Sequence, residues 1–197
     1  MTALRPLVTL IARVMALLGG LVLVALVILT CLSVIGRGLV TLGHSDVLTG
    51  AAPGLAGWLN GTGVGPIPGD FELVEAGVAF AIFAFLPICQ LRSGHATVDI
   101  FTNLMPGGIA RTLVVFWEIV LALTLVLIAW RLYEGFSDKL RNGQTTFLLQ
   151  FPVWWAYGAS LIAASAAALV GVWCAAARAA ETVTGRPIMP PPGEADH

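Results

Sequence analysis

Four long apolar runs, separated by short polar or glycine-rich stretches, set the pattern of the chain. The first runs from Val14 to Gly36, with no charge between Arg13 and Arg37. The second covers about Phe71 to Leu91, the third Thr112 to Trp130 with Glu118 its one charge, and the fourth Pro152 to Ala177. Each is close to the roughly 20 residues that a helix needs to cross a bilayer. Membrane strands would show as short alternating segments between turns. The continuous runs therefore predict an all-α integral membrane protein with four transmembrane helices. The first run has 23 residues. That is longer than the roughly 7–15 residues of a signal-peptide core, and no small-x-small cleavage site follows it, so it is expected to stay as an anchor.

The stretches between the runs add detail. Residues 37–70 form a glycine-rich outer loop, punctuated by eight glycines from Gly43 to Gly69 and by Pro53, Pro66 and Pro68. Such residues favour turns over regular structure. A short helix is expected to begin at Pro53 and carry Leu55, Trp58 and Leu59 towards the membrane surface. Residues 95–106 form an inner loop in which Val98, Phe101, Leu104 and Met105 recur at helical spacing while Asp99, Thr102 and Asn103 point elsewhere. That pattern predicts a short amphipathic helix lying in the interface plane. On the fourth run Ala159, Ala163, Ala167, Gly171 and Ala175 recur every four residues, with Ser160, Ala164 and Ala168 beside them. Small residues at this spacing allow close helix approach, within the chain or against a partner. The reading is one membrane domain over residues 1–183, and a disordered proline-rich tail over 184–197.

Composition agrees with a membrane chain: 58% of the 197 residues are hydrophobic and 11% charged, where soluble domains carry about 25% charged residues. The net charge of −1 comes with no basic run, so nothing here could track a nucleic-acid backbone. With the N-terminus inside, the inner flanks hold Arg5, Arg13, Arg92, Arg111, Arg178 and Arg186. The outer flanks then hold Arg37, Arg131, Lys139 and Arg141. The excess of positive charge inside predicts that both termini are cytoplasmic.

Candidate chemistry is sparse. Cys31, Cys89 and Cys174 all fall in spans, without metal-ligand spacing, and are expected to be free hydrophobes. No histidine falls in a span, which argues against a haem anchor. No nucleophile–base pair, phosphate-cradling loop or metal set is recognisable, so no cofactor and no enzyme activity are expected. The informative groups are charges held close to hydrocarbon, where an unmatched charge is costly. Asp70, Glu72 and Glu75 sit at the outer mouth of the second span. There they complement the helix dipole, and Asp70 is a candidate N-cap. Glu118 lies inside the third span. It has three readings: pairing with Arg92 or His95 in the bundle, meeting a partner protein, or carrying protons or a cation. At the inner end of the second span Arg92, His95 and Asp99 are candidate anchors for the inner loop and for lipid. The interfacial aromatics Trp154 and Tyr157 are further candidate bundle or partner contacts. A self-contained small channel or carrier, and a structural anchor of another complex, both remain open on these residues alone.

Three stretches carry a resemblance to a known family. They are Pro66-Ile67-Pro68-Gly69-Asp70-Phe71-Glu72-Leu73-Val74-Glu75, Arg92-Ser93-Gly94-His95-Ala96-Thr97-Val98-Asp99, and Gln144 followed by Pro152-Val153-Trp154-Trp155-Ala156-Tyr157. In order and spacing around four spans, the chain resembles the small membrane subunit (DctQ type) of tripartite ATP-independent periplasmic (TRAP) transporters. The resemblance implies a non-catalytic subunit of the bacterial inner membrane. It would brace a large permease subunit that holds the sodium and substrate sites and moves as an elevator. A periplasmic binding protein would deliver an organic anion, often a carboxylate. Within such a subunit, Asp70, Glu72, Glu75, Glu118, Trp154 and Tyr157 are the candidate contacts to the partner or the bundle.

Overall fold

The computed structural model describes residues 4–61, 63, 65–92 and 107–184. The expected inner-loop helix at 95–106, with His95 and Asp99, lies outside the described residues, as does the tail beyond Thr184. Among the described residues there are six helices: α1 (Arg5–Gly43), α2 (Asp46–Ala51), α3 (Pro53–Gly61), α4 (Asp70–Leu91), α5 (Gly107–Asn142) and α6 (Val153–Thr184). Four of them are long and apolar enough to cross a membrane.

Three of the four outrun the apolar stretches that predict them. The 39 residues of α1 make about 58 Å of helix, against a hydrocarbon core of about 30 Å. Helix continues past Gly36 because nothing in 37–43 stops it: Gly38 costs only about 1 kcal/mol in a helix interior, and the next proline is Pro53. Thr30 and Thr41 turn their hydroxyls back onto the carbonyls of Leu26 and Arg37, both at 2.9 Å, which hides those donors from lipid. The outer segment 37–70 is accordingly more helical than its glycines suggest. Ser45 starts α2 by accepting from Leu48 N–H at 3.3 Å. In α3, Ala56 is buried and the helix packs against α1, while Leu55 and Trp58 stay exposed. Helix α5 runs on from Trp130 to Asn142 as a polar extension. It is supported by Arg131 on Glu134 at 2.9 Å and Asn142 on Asp138 at 3.1 Å, pairs that suit a solvated helix face. Gly143, at φ 59°, ends it.

The spans form a row in the order α1–α4–α6–α5, not a closed ring. Helix α6 packs against both α5 and α4, α4 packs in turn against α1, and α1 makes a smaller contact with α6. Small residues make these approaches possible. Ala163, Ala167 and Ala177 of α6 are fully buried, and a Cβ on Gly171 would sit 3.0 Å from Leu125 Cδ1 of α5. A Cβ on Gly19 of α1 would sit 3.0 Å from Ala84 Cβ of α4. The small-residue face of the fourth span is thus used within the chain. Val170, Leu125 and Ala168 fill the space left between the backbones. Helix α1, at the end of the row, leaves most of its surface bare, with Leu17 and Leu21 among its most exposed residues.

Because α6 is packed on two sides, enlarging its buried face should be costly. Ala167→Leu is expected to destabilise the fold by about 1–3 kcal/mol through overpacking, read as a lower thermal midpoint in detergent. Leu169→Ala, at a position 54% exposed on the same helix, should leave the midpoint nearly unchanged.

Candidate functional site: the outer polar clamp and its groove

The acids at the outer mouth of α4 are held by three different parts of the chain. Gly69 enters the helix in a left-handed conformation, φ 73°, and takes the N-cap position itself, so Asp70 is the first helical residue and not the cap. A side chain at 69 is excluded twice over: its φ suits glycine, and a Cβ would lie 2.5 Å from Leu149 Cγ. With the cap filled by backbone, the Asp70 carboxylate is available elsewhere. Its Oδ1 accepts from Phe71 N–H at 2.8 Å, and its Oδ2 accepts the Ser33 hydroxyl of α1 at 2.5 Å. Ser33 Oγ in turn accepts Ile67 N–H at 3.3 Å. One hydroxyl, fully buried on α1, therefore ties α1, the entry loop and α4 together. Arg37 Nη2 stands 3.9 Å from Asp70 Oδ2 with its side chain largely exposed, a weaker addition. Close approach here depends on Gly36, where any Cβ would overlap the Gly65 carbonyl.

Glu72 reaches in the other direction. Its two carboxylate oxygens accept the backbone N–H groups of Leu148 (2.8 Å) and Leu149 (3.0 Å), in the loop between α5 and α6. The carboxylate is buried and acts as a two-pronged acceptor for a turn that has no helix or sheet to satisfy it. The rest of the loop is pinned from within. Thr146 N–H donates to Phe151 O at 3.0 Å, Val153 N–H to Gln144 O at 2.9 Å, and the Thr145 hydroxyl to Gln150 Oε1 at 3.0 Å. Gln150 adopts φ 55°, uncommon for a residue with a side chain, and its Nε2 donates to Phe147 O at 2.8 Å. Trp154 packs edge-on to Phe136, with ring centroids 6.2 Å apart. Tyr157 lies against Gly135, where a Cβ would come within 2.8 Å of the ring.

Below this loop the outer halves of α4 and α5 stand apart over α6 and leave a groove of about 510 Å³. Phe71, Ala79 and Phe83 form one wall, Leu132 the other, and Ala156 and Ser160 the floor. Glu75 and Tyr157 also line it. At the inner end the same helices are joined instead: Gln90 Nε2 donates to Glu118 Oε2 at 2.6 Å, and both residues are buried. Arg178 and Glu181, on α6, form a second buried pair at 3.6 Å. Arg92 is exposed at the C-cap of α4. Among the described residues no group of His, Cys, Asp or Glu could hold a metal ion.

The structure brings Asp70 and Glu72 into one outer network, puts Glu75 with Tyr157 on the groove, and places Glu118 far from all of them at the other end. The partners of these acids were not singled out from sequence. Ser33 sits in a run where a lone hydroxyl usually bonds its own helix, and Gln90 ends a span without a charge. The amides of Leu148 and Leu149 carry no side-chain signal at all. Ser33 three residues before Gly36, one helix turn apart, is the one sequence hint of a close contact.

The clamp makes a local expectation. Glu72→Ala should raise hydrogen exchange at the Leu148 and Leu149 amides by about tenfold or more, with Glu72→Gln intermediate because one acceptor oxygen remains. Amides in the middle of α6 should be unaffected by either change.

Residues 62–182 match the family model of the DctQ component of tripartite ATP-independent periplasmic transporters. No curated protein and no solved structure matches the chain. The matched stretch exceeds half the chain and takes in Asp70, Glu72 and the loop Glu72 holds, the groove, and α4, α5 and nearly all of α6. The chain therefore belongs to the DctQ family, the small membrane component of TRAP transporters.

Proposed function

We propose that the chain is a non-catalytic scaffold subunit of a bacterial inner-membrane TRAP transporter. It braces a large, sodium-coupled elevator subunit during uptake of an organic anion, a carboxylate by preference, delivered by a periplasmic binding protein. Both termini lie in the cytoplasm, so the Glu72 clamp and the groove face the periplasmic side; six basic residues against four favour this orientation.

Beyond family membership, the observation that carries this reading is how the polar groups within the spans are used. Ser33, Asp70 and Glu72 hold helices and loops to one another at the outer end, and Gln90 and Glu118 do so at the inner end. Between the two ends, the buried clusters are mainly alanine, valine and leucine, with Cys174 among them. A carrier needs polar groups along a path, and an elevator needs a fixed wall to slide against. A row of helices braced at both ends and bare along α1 suits the wall. Arg92, with His95 and Asp99, would anchor the inner loop at the headgroup level, and Arg92 would contact lipid phosphate.

Reconstitution tests this directly. Liposomes holding the purified chain alone should show no solute uptake under a sodium gradient. Uptake should appear when the large subunit is added to the membrane and the binding protein is supplied outside. Flux through the isolated chain would overturn the scaffold reading in favour of a self-contained carrier.

A further inference from the structure

Glu75 differs from the other acids of the spans. Asp70, Glu72 and Glu118 each have a partner within the chain, whereas Glu75 is exposed and makes no hydrogen bond or ion pair among the described residues. Its depth makes this costly. Helix α4 has 22 residues, about 33 Å, and so has little length to spare over a hydrocarbon core of about 30 Å. Glu75 lies five residues in, about 7.5 Å along the axis from Asp70. Its side chain is short, so it cannot reach water as readily as a lysine would. Lipid tails offer it nothing.

The surface around Glu75 has the shape of a receiving site. The groove is about 510 Å³, enough for several side chains, and its walls and floor are mainly apolar. Small residues, Ala76 and Ala79 on α4 and Ala156 on α6, leave that space open. At its rim the loop clamped by Glu72 presents Phe147, 87% exposed. A large exposed ring on a loop held by so many hydrogen bonds is a preformed contact, with little ordering left to do on binding.

We propose that the groove between α4 and α5 is a docking surface for an apolar, membrane-embedded segment of a partner protein that brings a lysine or arginine to Glu75. Resting on the proposed function, that partner is the large permease subunit. The segment seats bulky side chains against Ala79 and Ala156, and Phe147 packs over it. Its basic group neutralises Glu75 in a setting of low dielectric, where an ion pair sets register as well as affinity.

The experiment uses the full chain with the large subunit in nanodiscs. A photo-reactive benzoylphenylalanine replaces Phe71, on the groove, or Val24, on the exposed face of α1. The Phe71 position should cross-link to the large subunit and the Val24 position should not. Glu75→Lys and Ala79→Trp should each raise the Kd for the large subunit about tenfold or more. Because Glu75 has no partner among the described residues, Glu75→Lys alone should keep the thermal midpoint of the isolated subunit, which separates docking from folding. Cross-links from Val24 but not Phe71, or a wild-type Kd for Glu75→Lys, would overturn the docking surface while leaving the scaffold function standing. Cross-links from Phe71 only to lipid or to a second copy of the chain would overturn it equally. Failure of the wild-type chain to bind any large subunit would overturn both.

Discussion

Polar groups near hydrocarbon must find partners inside the protein, and the four-span row is organised around that requirement. At the outer end, Glu72 accepts two backbone N–H groups from a loop more than seventy residues away. Asp70, two residues earlier, accepts a hydroxyl from the opposite side. Successive acids on one helix turn therefore hold α1 on one hand and the α5–α6 loop on the other. Without them, the entry to α4 and the loop would expose unpaired amides and carboxylates at the membrane edge, where neither lipid nor bulk water meets them well.

The packing depends on the same economy of space. The middle of the row is held by close approach of backbones across alanine and glycine, since lipid removes most of the hydrophobic drive between helices. Helix α6, packed on two sides, supplies the largest share of the buried small residues, and α1 adds Ala12, Gly19, Ser33 and Gly36 on the side that meets α4 and the entry loop. The Gln90–Glu118 hydrogen bond closes the inner end between α4 and α5. At the outer end, among the described residues, no such bond joins α4 to α5, and the groove lies there. The outer end thus has both a brace and an open groove, and the groove carries Glu75, which has no hydrogen bond or ion pair among the described residues.

This division suits a subunit that works through contact. A scaffold should spend its polar groups on its own rigidity and leave its recognition surface preformed. The clamped loop, with Gln150 at positive φ and Phe147 outside, fits that description. The family match begins at residue 62, just ahead of the entry to α4, so Glu72, the loop it holds and the groove lie in the part of the chain that the family defines, and Ser33 of α1 lies before it.

The four spans, the membrane setting and the family were legible in the sequence by itself. Continuous apolar runs and segments such as Pro68–Glu75 are local signals, and the cost of exposing backbone to lipid leaves them only a helix to form. Element lengths were less legible. The helical extensions at 37–43 and 131–142, and the helices within 37–70, are governed by caps, neighbours and polar pairs, not by hydropathy. What each acid does was decided only by the tertiary structure. Asp70 read as a cap until Gly69 took that place, Glu118 received Gln90, and Glu72 bonded amides that no pattern of side chains reveals. The reason is physical: hydropathy depends on a residue alone, whereas the worth of a carboxylate at a membrane edge depends on which donors the fold brings within about 3 Å of it.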